Sequence, residues 1–253
     1  MDQALLSATG LSKNFGGIKA VNNASIEVKA NSITGLIGPN GAGKTTLFNL
    51  ISKFIEPDLG KVTFSKQRID HLNSYQVSRA GCIRTFQVAK VLSRLSVMEN
   101  MLVAAPKQFG EDFLRVWFKG SEIRRQEREN KERAMSILED IGLANKFNDY
   151  AGVLSGGQRK LLEMGRALMT SPKLILLDEP AAGVNPSLIS QISEHIINWN
   201  RQGISFLIIE HNMEVIMSLC DHVWVMAEGT NLADGKPAEI QNNSKVLEAY
   251  LGG

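Results

Sequence analysis

A chain of 253 residues with 43% apolar and 21% charged side chains has ordinary globular composition and can bury a substantial core, which excludes a disordered or fibrous protein. Its 28 basic and 26 acidic residues are spread along the chain and leave a formal net charge of +2, so there is no electrostatic footprint for nucleic acid. Cys82 and Cys220 lack metal-ligand spacing, no apolar run nears the roughly 18 to 20 residues that cross a bilayer, and the start MDQALLSATG is unlike a signal peptide; free thiols and a cytosolic chain are expected.

In chain order, short β-rich runs at 5–9, 25–28, 33–37 and 61–64 alternate with Asn, Gly, Pro and Asp, and feed one helix through Leu47, Leu50 and Ile51. From about 74 to 170 the pattern turns mostly helical. Ser96 and Glu99 have capping-box spacing, and a highly charged helix over 122–141 stops near Gly142. The mixed signs between Arg124 and Arg133 read as a solvated face. The last third alternates again: strand 174–177, helix 187–200, strand 205–209, helix 213–219, strand 222–226. Strands alternating with helices of that length imply parallel βαβ units. With no repeat and no linker, 1–253 reads as a single α/β domain with a helical insertion at about 88–170.

Two segments carry phosphate chemistry. Gly38-Pro39-Asn40-Gly41-Ala42-Gly43-Lys44-Thr45, followed by Thr46, fits G-x-x-x-x-G-K-[ST] between a predicted strand and a predicted helix. Glycines let backbone N–H groups curl around phosphate oxygens, and the helix start adds a favourable dipole. Lys44 is expected on the β- and γ-phosphates, and the Thr45 hydroxyl on Mg²⁺. The apolar run 174–177 then delivers Asp178 and Glu179 to the carboxyl end of a buried parallel strand, where ligands bind in such sheets. Asp178 is expected to hold the magnesium, directly or through water, and Glu179 to orient and deprotonate the attacking water.

GTPases, kinases and helicases share both segments. A third, Leu154-Ser155-Gly156-Gly157-Gln158, resembles the signature sequence of the ABC ATPase family and opens a predicted helix ahead of the Asp178 strand. The resemblance spans essentially the whole chain. It implies a P-loop NTPase cassette with a RecA-like parallel-sheet core, an N-terminal antiparallel β subdomain and an α-helical insertion. It further implies that Ser155 to Gln158 face the γ-phosphate held by a second subunit, so that two chains sandwich two ATP molecules.

Other positions match the family one at a time. Phe15, in Lys13-Asn14-Phe15-Gly16, matches the aromatic that stacks on adenine, with core packing as the alternative. Gln87, after Arg84-Thr85-Phe86, matches the glutamine that touches magnesium and the attacking water. His211 resembles the switch histidine that hydrogen-bonds the γ-phosphate. Asn185 departs from the family, standing where many members have aspartate, and Asn145-Lys146-Phe147-Asn148 lacks the aspartate a guanine reader needs.

Phe15-Gly16-Gly17-Ile18, Arg84-Thr85-Phe86-Gln87 and the chain end resemble the ATPase subunits of branched-chain and neutral amino-acid importers. That resemblance implies ATP and Mg²⁺ as cofactors and a homodimer or a heterodimer with a related ATPase. It also implies two transmembrane permease subunits, an external solute-binding protein, no nucleic acid, and a place at the cytoplasmic face of the plasma (inner) membrane. The permease's coupling helix would rest near Gln87, in a groove between the core and the insertion; Phe113, Leu114, Val116, Trp117 and Phe118 read first as ordinary packing of the insertion, with a place on the groove's border as the alternative. The alternatives are a urea or amide importer, a lipid or lipopolysaccharide exporter, or a soluble ABC protein outside transport.

Overall fold

In the computed structural model, residues 4–85, 90–106 and 120–251 are described. The chain forms two compact units, one of Met1–Gln87 with Lys173–Gly253 and one of Val88–Pro172.

The first unit holds two sheets. Strands β1 (Ala4–Phe15), β2 (Ile18–Lys29), β4 (Leu59–Phe64) and β5 (Gln67–Arg68) form an antiparallel sheet in the order β2-β1-β4-β5. The expected runs at 5–9 and 25–28 are parts of β1 and β2, which are twelve residues each; their register shifts and the residues Asn14, Asn22 and Asn23 hide the remainder from a pattern reading.

The second sheet is built from β3 (Ile33–Ile37), β6 (Cys82–Arg84), β7 (Leu174–Asp178), β8 (Ser205–Ile209), β9 (His222–Ala227) and β10 (Thr230–Gly235), in the order β10-β9-β3-β8-β7-β6. All its pairings are parallel except the β9–β10 hairpin. Strands β3, β7 and β8 are buried at every residue, which is why their sequences are continuous apolar runs. β6 interrupts the stretch expected to be helical; at three residues it is too short for a periodic signal.

Helix α1 (Lys44–Ile51) buries Leu47, Phe48, Leu50 and Ile51 in a core shared with Leu6, Ile26 and Val62 of the first sheet and Leu36, Leu176 and Ile209 of the second. Beyond it come α2 (Ser74–Arg79), then, in the last third of the chain, a helix at Pro186–Arg201 and three shorter ones at Met213–Leu219, Pro237–Gln241 and Ser244–Leu251. The Pro186–Arg201 helix buries Ile192, Ile196 and Trp199, one face at helical spacing.

The second unit packs α3 (Val97–Val103), α4 (Gly120–Asp140) and α5 (Gly156–Met169) against one another, so in chain order the four later helices are α6 to α9. Ser96 and Glu99 form the expected capping box. Most of α4 between Arg124 and Glu132 is exposed, as a solvated face requires. Arg133 does more: its guanidinium donates to Leu168 O at 2.7 Å and Ser171 Oγ at 2.8 Å, a cation at the carbonyl end of α5. Where α4 and α5 cross, a Cβ on Gly165 would stand 2.9 Å from Ile141 Cδ1.

Asn100, fully buried, closes the loop before α3: its Oδ1 accepts from Leu92 N, and its Nδ2 donates to the carbonyls of Leu92, Leu95 and Ser96. Asn100→Ala should therefore destabilise the protein by about 1–3 kcal/mol, the cost of leaving buried polar groups unpaired, read as a lower urea midpoint at unchanged slope.

Both cysteines are free and buried, and burial pushes each thiol up to about 12. A raised thiol pKa keeps sulfur neutral below that value, and only the thiolate reacts. A thiol reagent at about pH 8 should label neither sulfur in the native protein and both after denaturation, counted by mass.

Candidate functional site

Three adjacent strands of the second sheet, β3, β8 and β7, end at the same edge. Their carboxyl-terminal loops carry Gly38 to Thr46, Glu210 with His211, and Glu179. Ligands bind at this edge of a parallel sheet. A cavity of about 450 Å³ opens there, lined by Asn40 to Thr46, Glu179 and His211, with Ile18 to Ala20 on one side and Glu228 and Gly229 on another.

The loop after β3 depends on two glycines. A Cβ at Gly38 (φ 149°) would stand 2.1 Å from Met226 O, and one at Gly43 (φ 93°) 2.4 Å from Ala20 O. Only glycine permits that backbone approach and those dihedrals. Gly43 is also the N-cap of α1 and offers no side chain to the first-turn N–H groups, which stay available to an anion at the cavity.

Lys44 is buried and donates to Gly38 O at 2.7 Å and Pro39 O at 2.9 Å. Burial lowers its pKa, and the negative charges of Glu179 and Asp178 oppose that shift. A phosphate would offer the same ammonium stronger, charged acceptors.

Asp178, buried at the end of β7, is held by Arg84, whose Nη2 lies 3.0 Å from its Oδ2. The same guanidinium donates to Asn49 Oδ1 and, at 3.4 Å, to Ser52 Oγ, and lies 5.8 Å and 5.5 Å from the ring centroids of Phe48 and Phe54. Arg84 thus ties the aspartate to the helix that begins with Lys44. Reading the chain alone attached no role to this arginine; an arginine in a buried edge strand was the available signal.

Glu179 has φ 51°, the left-handed region that costs a non-glycine residue on the order of 1–3 kcal/mol. Its N–H donates to Ile209 O at 2.9 Å, and its Oε1 lies 2.9 Å from His211 Nε2. Carboxylate and imidazole form a pair on the cavity wall, able to take and orient a proton.

Phe15 ends β1 opposite Ile18 and is 46% exposed, which rules out core packing. Ser155 to Gln158 belong to the second unit, where Ser155 Oγ accepts from Gln158 N and Gln158 Oε1 from Ser155 N, a capping box on α5. Asn185 caps α6: its Oδ1 accepts from Leu188 N at 2.9 Å, a task asparagine and aspartate perform equally. Lys146 lies in a 3₁₀ turn of the second unit and pairs with Asp149 at 3.5 Å. Gln87 and the cluster Phe113, Leu114, Val116, Trp117 and Phe118 lie outside the described residues.

Among the described residues no cluster of three acidic, His or Cys side chains could hold a metal by itself. The donors present, the Thr45 hydroxyl and the Asp178 carboxylate, are hard oxygens. They fit Mg²⁺, which binds through one or two protein oxygens together with substrate phosphates and water.

Known proteins match this arrangement. Residues 21–182 match the family described as ABC transporter, and residues 230–253 match the one described as branched-chain amino acid ATP-binding cassette transporter. The chain is 43% identical over 252 residues to a probable branched-chain amino acid transport ATP-binding protein LivG of Archaeoglobus fulgidus, covering 98% of this chain and 95% of that one. It is 41% identical over 253 residues to the high-affinity LivG of Salmonella typhimurium, covering 100% and 99%. A solved ABC transporter cassette in its ADP conformation superposes with a TM-score of 0.84 at 36% identity, covering 99% and 100%.

Arg84→Met should strip buried Asp178 of its direct ion-pair partner and cost about 3–5 kcal/mol of stability by urea denaturation. Adding Asp178→Asn to that variant should recover part of the loss.

Proposed function

The chain belongs to the ABC transporter family as an ATP-hydrolysing, nucleotide-binding subunit, and from that premise we propose that it energises import of branched-chain or other neutral amino acids. The cargo assignment is supported by the full-length likeness to LivG proteins and by the match at residues 230–253. Residues 1–253 act as one nucleotide-binding domain in this reading.

In the mechanism, the N–H groups of Gly41 to Thr46 and the Lys44 ammonium bind the phosphates of ATP, and exposed Phe15 stacks on adenine. Thr45 and Asp178, with Gln87, would hold Mg²⁺, which when bound neutralises charge on the phosphates. Glu179 accepts a proton from the water whose oxygen attacks the γ-phosphorus; the bond to the β,γ-bridging oxygen breaks, leaving ADP and phosphate. His211 donates to the γ-phosphate and keeps Glu179 aimed. Ser155 and Gly157 of a second ATPase subunit, identical or related, close over each ATP. Hydrolysis removes the γ-phosphate and the adhesion with it.

No helix among the described residues is long and apolar enough to cross a membrane. The solute path is assigned to two permease subunits, supplied by an external binding protein, with this chain at their cytoplasmic face. The observation that carries the reading is the Glu179–His211 pair, at 2.9 Å, on the wall of the cavity lined by Lys44 and Thr45.

Glu179→Gln should bind ATP, form a long-lived dimer and hydrolyse about 100-fold or more slowly. In cells lacking the chain, wild type but not Glu179→Gln should restore uptake of labelled neutral amino acids. Unchanged uptake of every amino acid on deletion would overturn the cargo assignment, and near-normal turnover by Glu179→Gln would remove its role as base.

A further inference from the structure

Glu210 is buried, 3% exposed, and the mechanism above gives it no task. A buried carboxylate persists only where hydrogen bonds offset its desolvation. Both of its oxygens accept from backbone amides: Oε1 from Ala181 N at 2.5 Å and Oε2 from its own neighbour His211 N at 3.2 Å. Ala181 lies in the turn that begins at Glu179, where Ala182 N donates to Glu179 O at 3.1 Å. One side chain therefore spans the two loops that carry the cavity's carboxylate and imidazole.

We propose that Glu210 is the positioning residue of the hydrolytic pair: by accepting from Ala181 and His211 together, it holds Glu179 in its left-handed turn and His211 within reach of it. The inference rests on the reading of Glu179 and His211 as that pair. The geometry requires two acceptors at one reach. Glutamine has one acceptor oxygen, and its NH₂ would face an N–H that needs an acceptor. Aspartate keeps both oxygens but is one methylene shorter.

The test uses the purified full chain with Glu210→Gln and Glu210→Asp, measuring affinity for a non-hydrolysable ATP analogue, single-turnover hydrolysis and thermal unfolding. Expected is affinity within about twofold and hydrolysis slowed about 10- to 100-fold, the scale of sub-ångström to ångström misplacement, in whichever variants unfold cooperatively. In a His211→Ala background the same substitution should slow hydrolysis by a smaller factor than it does beside His211, because only the hold on the Glu179 turn is then left to lose and residues acting as one unit are not additive. Normal hydrolysis in both variants, or an undiminished effect without His211, would overturn the proposal while leaving the pair standing. Near-normal turnover by Glu179→Gln would instead overturn the reading beneath it.

Discussion

The adjacency of three parallel strands governs the rest of the molecule. β7, β8 and β3 are buried on both faces and neighbour one another in the sheet, although their order in the chain is 3, 7, 8. Their shared carboxyl edge brings the loop after β3 together with two loops more than a hundred residues further along the chain. Parallel pairing requires crossover connections, and these crossovers leave each strand's end open for a side chain that does chemistry. The Gly38–Thr46 loop fits this edge because Gly38 and Gly43 let its backbone lie directly against Met226 O and Ala20 O.

Charge at that edge is arranged in pairs. Lys44 is depressed by burial yet faces Glu179 and Asp178. Asp178 is compensated by Arg84, and Glu210 by two main-chain amides. Asp178 and Glu210 are each satisfied by a group from another strand or loop, Arg84 and Ala181 N, so those segments cannot move independently without leaving a buried carboxylate short of a partner. The left-handed backbone at Glu179 persists because the surrounding hydrogen bonds over-determine it.

The second unit solves a different problem. Its helices have few long apolar runs, and its loops are closed by polar side chains turned inward or onto helix ends. Asn100 satisfies the turn before α3, Arg133 the end of α5, and Ser155 with Gln158 its beginning. The Ser155–Gln158 peptide is thus a helix cap closed on itself, its serine hydroxyl and glutamine side chain each paired within the peptide.

Much was legible in the chain. Continuous apolar runs identify β3, β7 and β8, because a strand buried on both faces has no polar positions to spare. The glycine and lysine spacing around Lys44, the acids after β7 and the capping box at Ser96 were equally plain, since each acts through its own backbone within a few residues. Asn185, which departs from the family's aspartate, was explained only once its cap on α6 was visible.

What the tertiary structure alone decided were the relations between distant segments: the three-residue β6, whose existence depends on β7 beside it, and the full lengths of β1 and β2, set by bulged pairing. The exposure of Phe15, the Arg84–Asp178 pair and the reach of Glu210 to Ala181 belong with them. A sequence determines local chemistry because neighbouring residues share a backbone; which buried charge meets which amide across the sheet is settled only when the strands take their order.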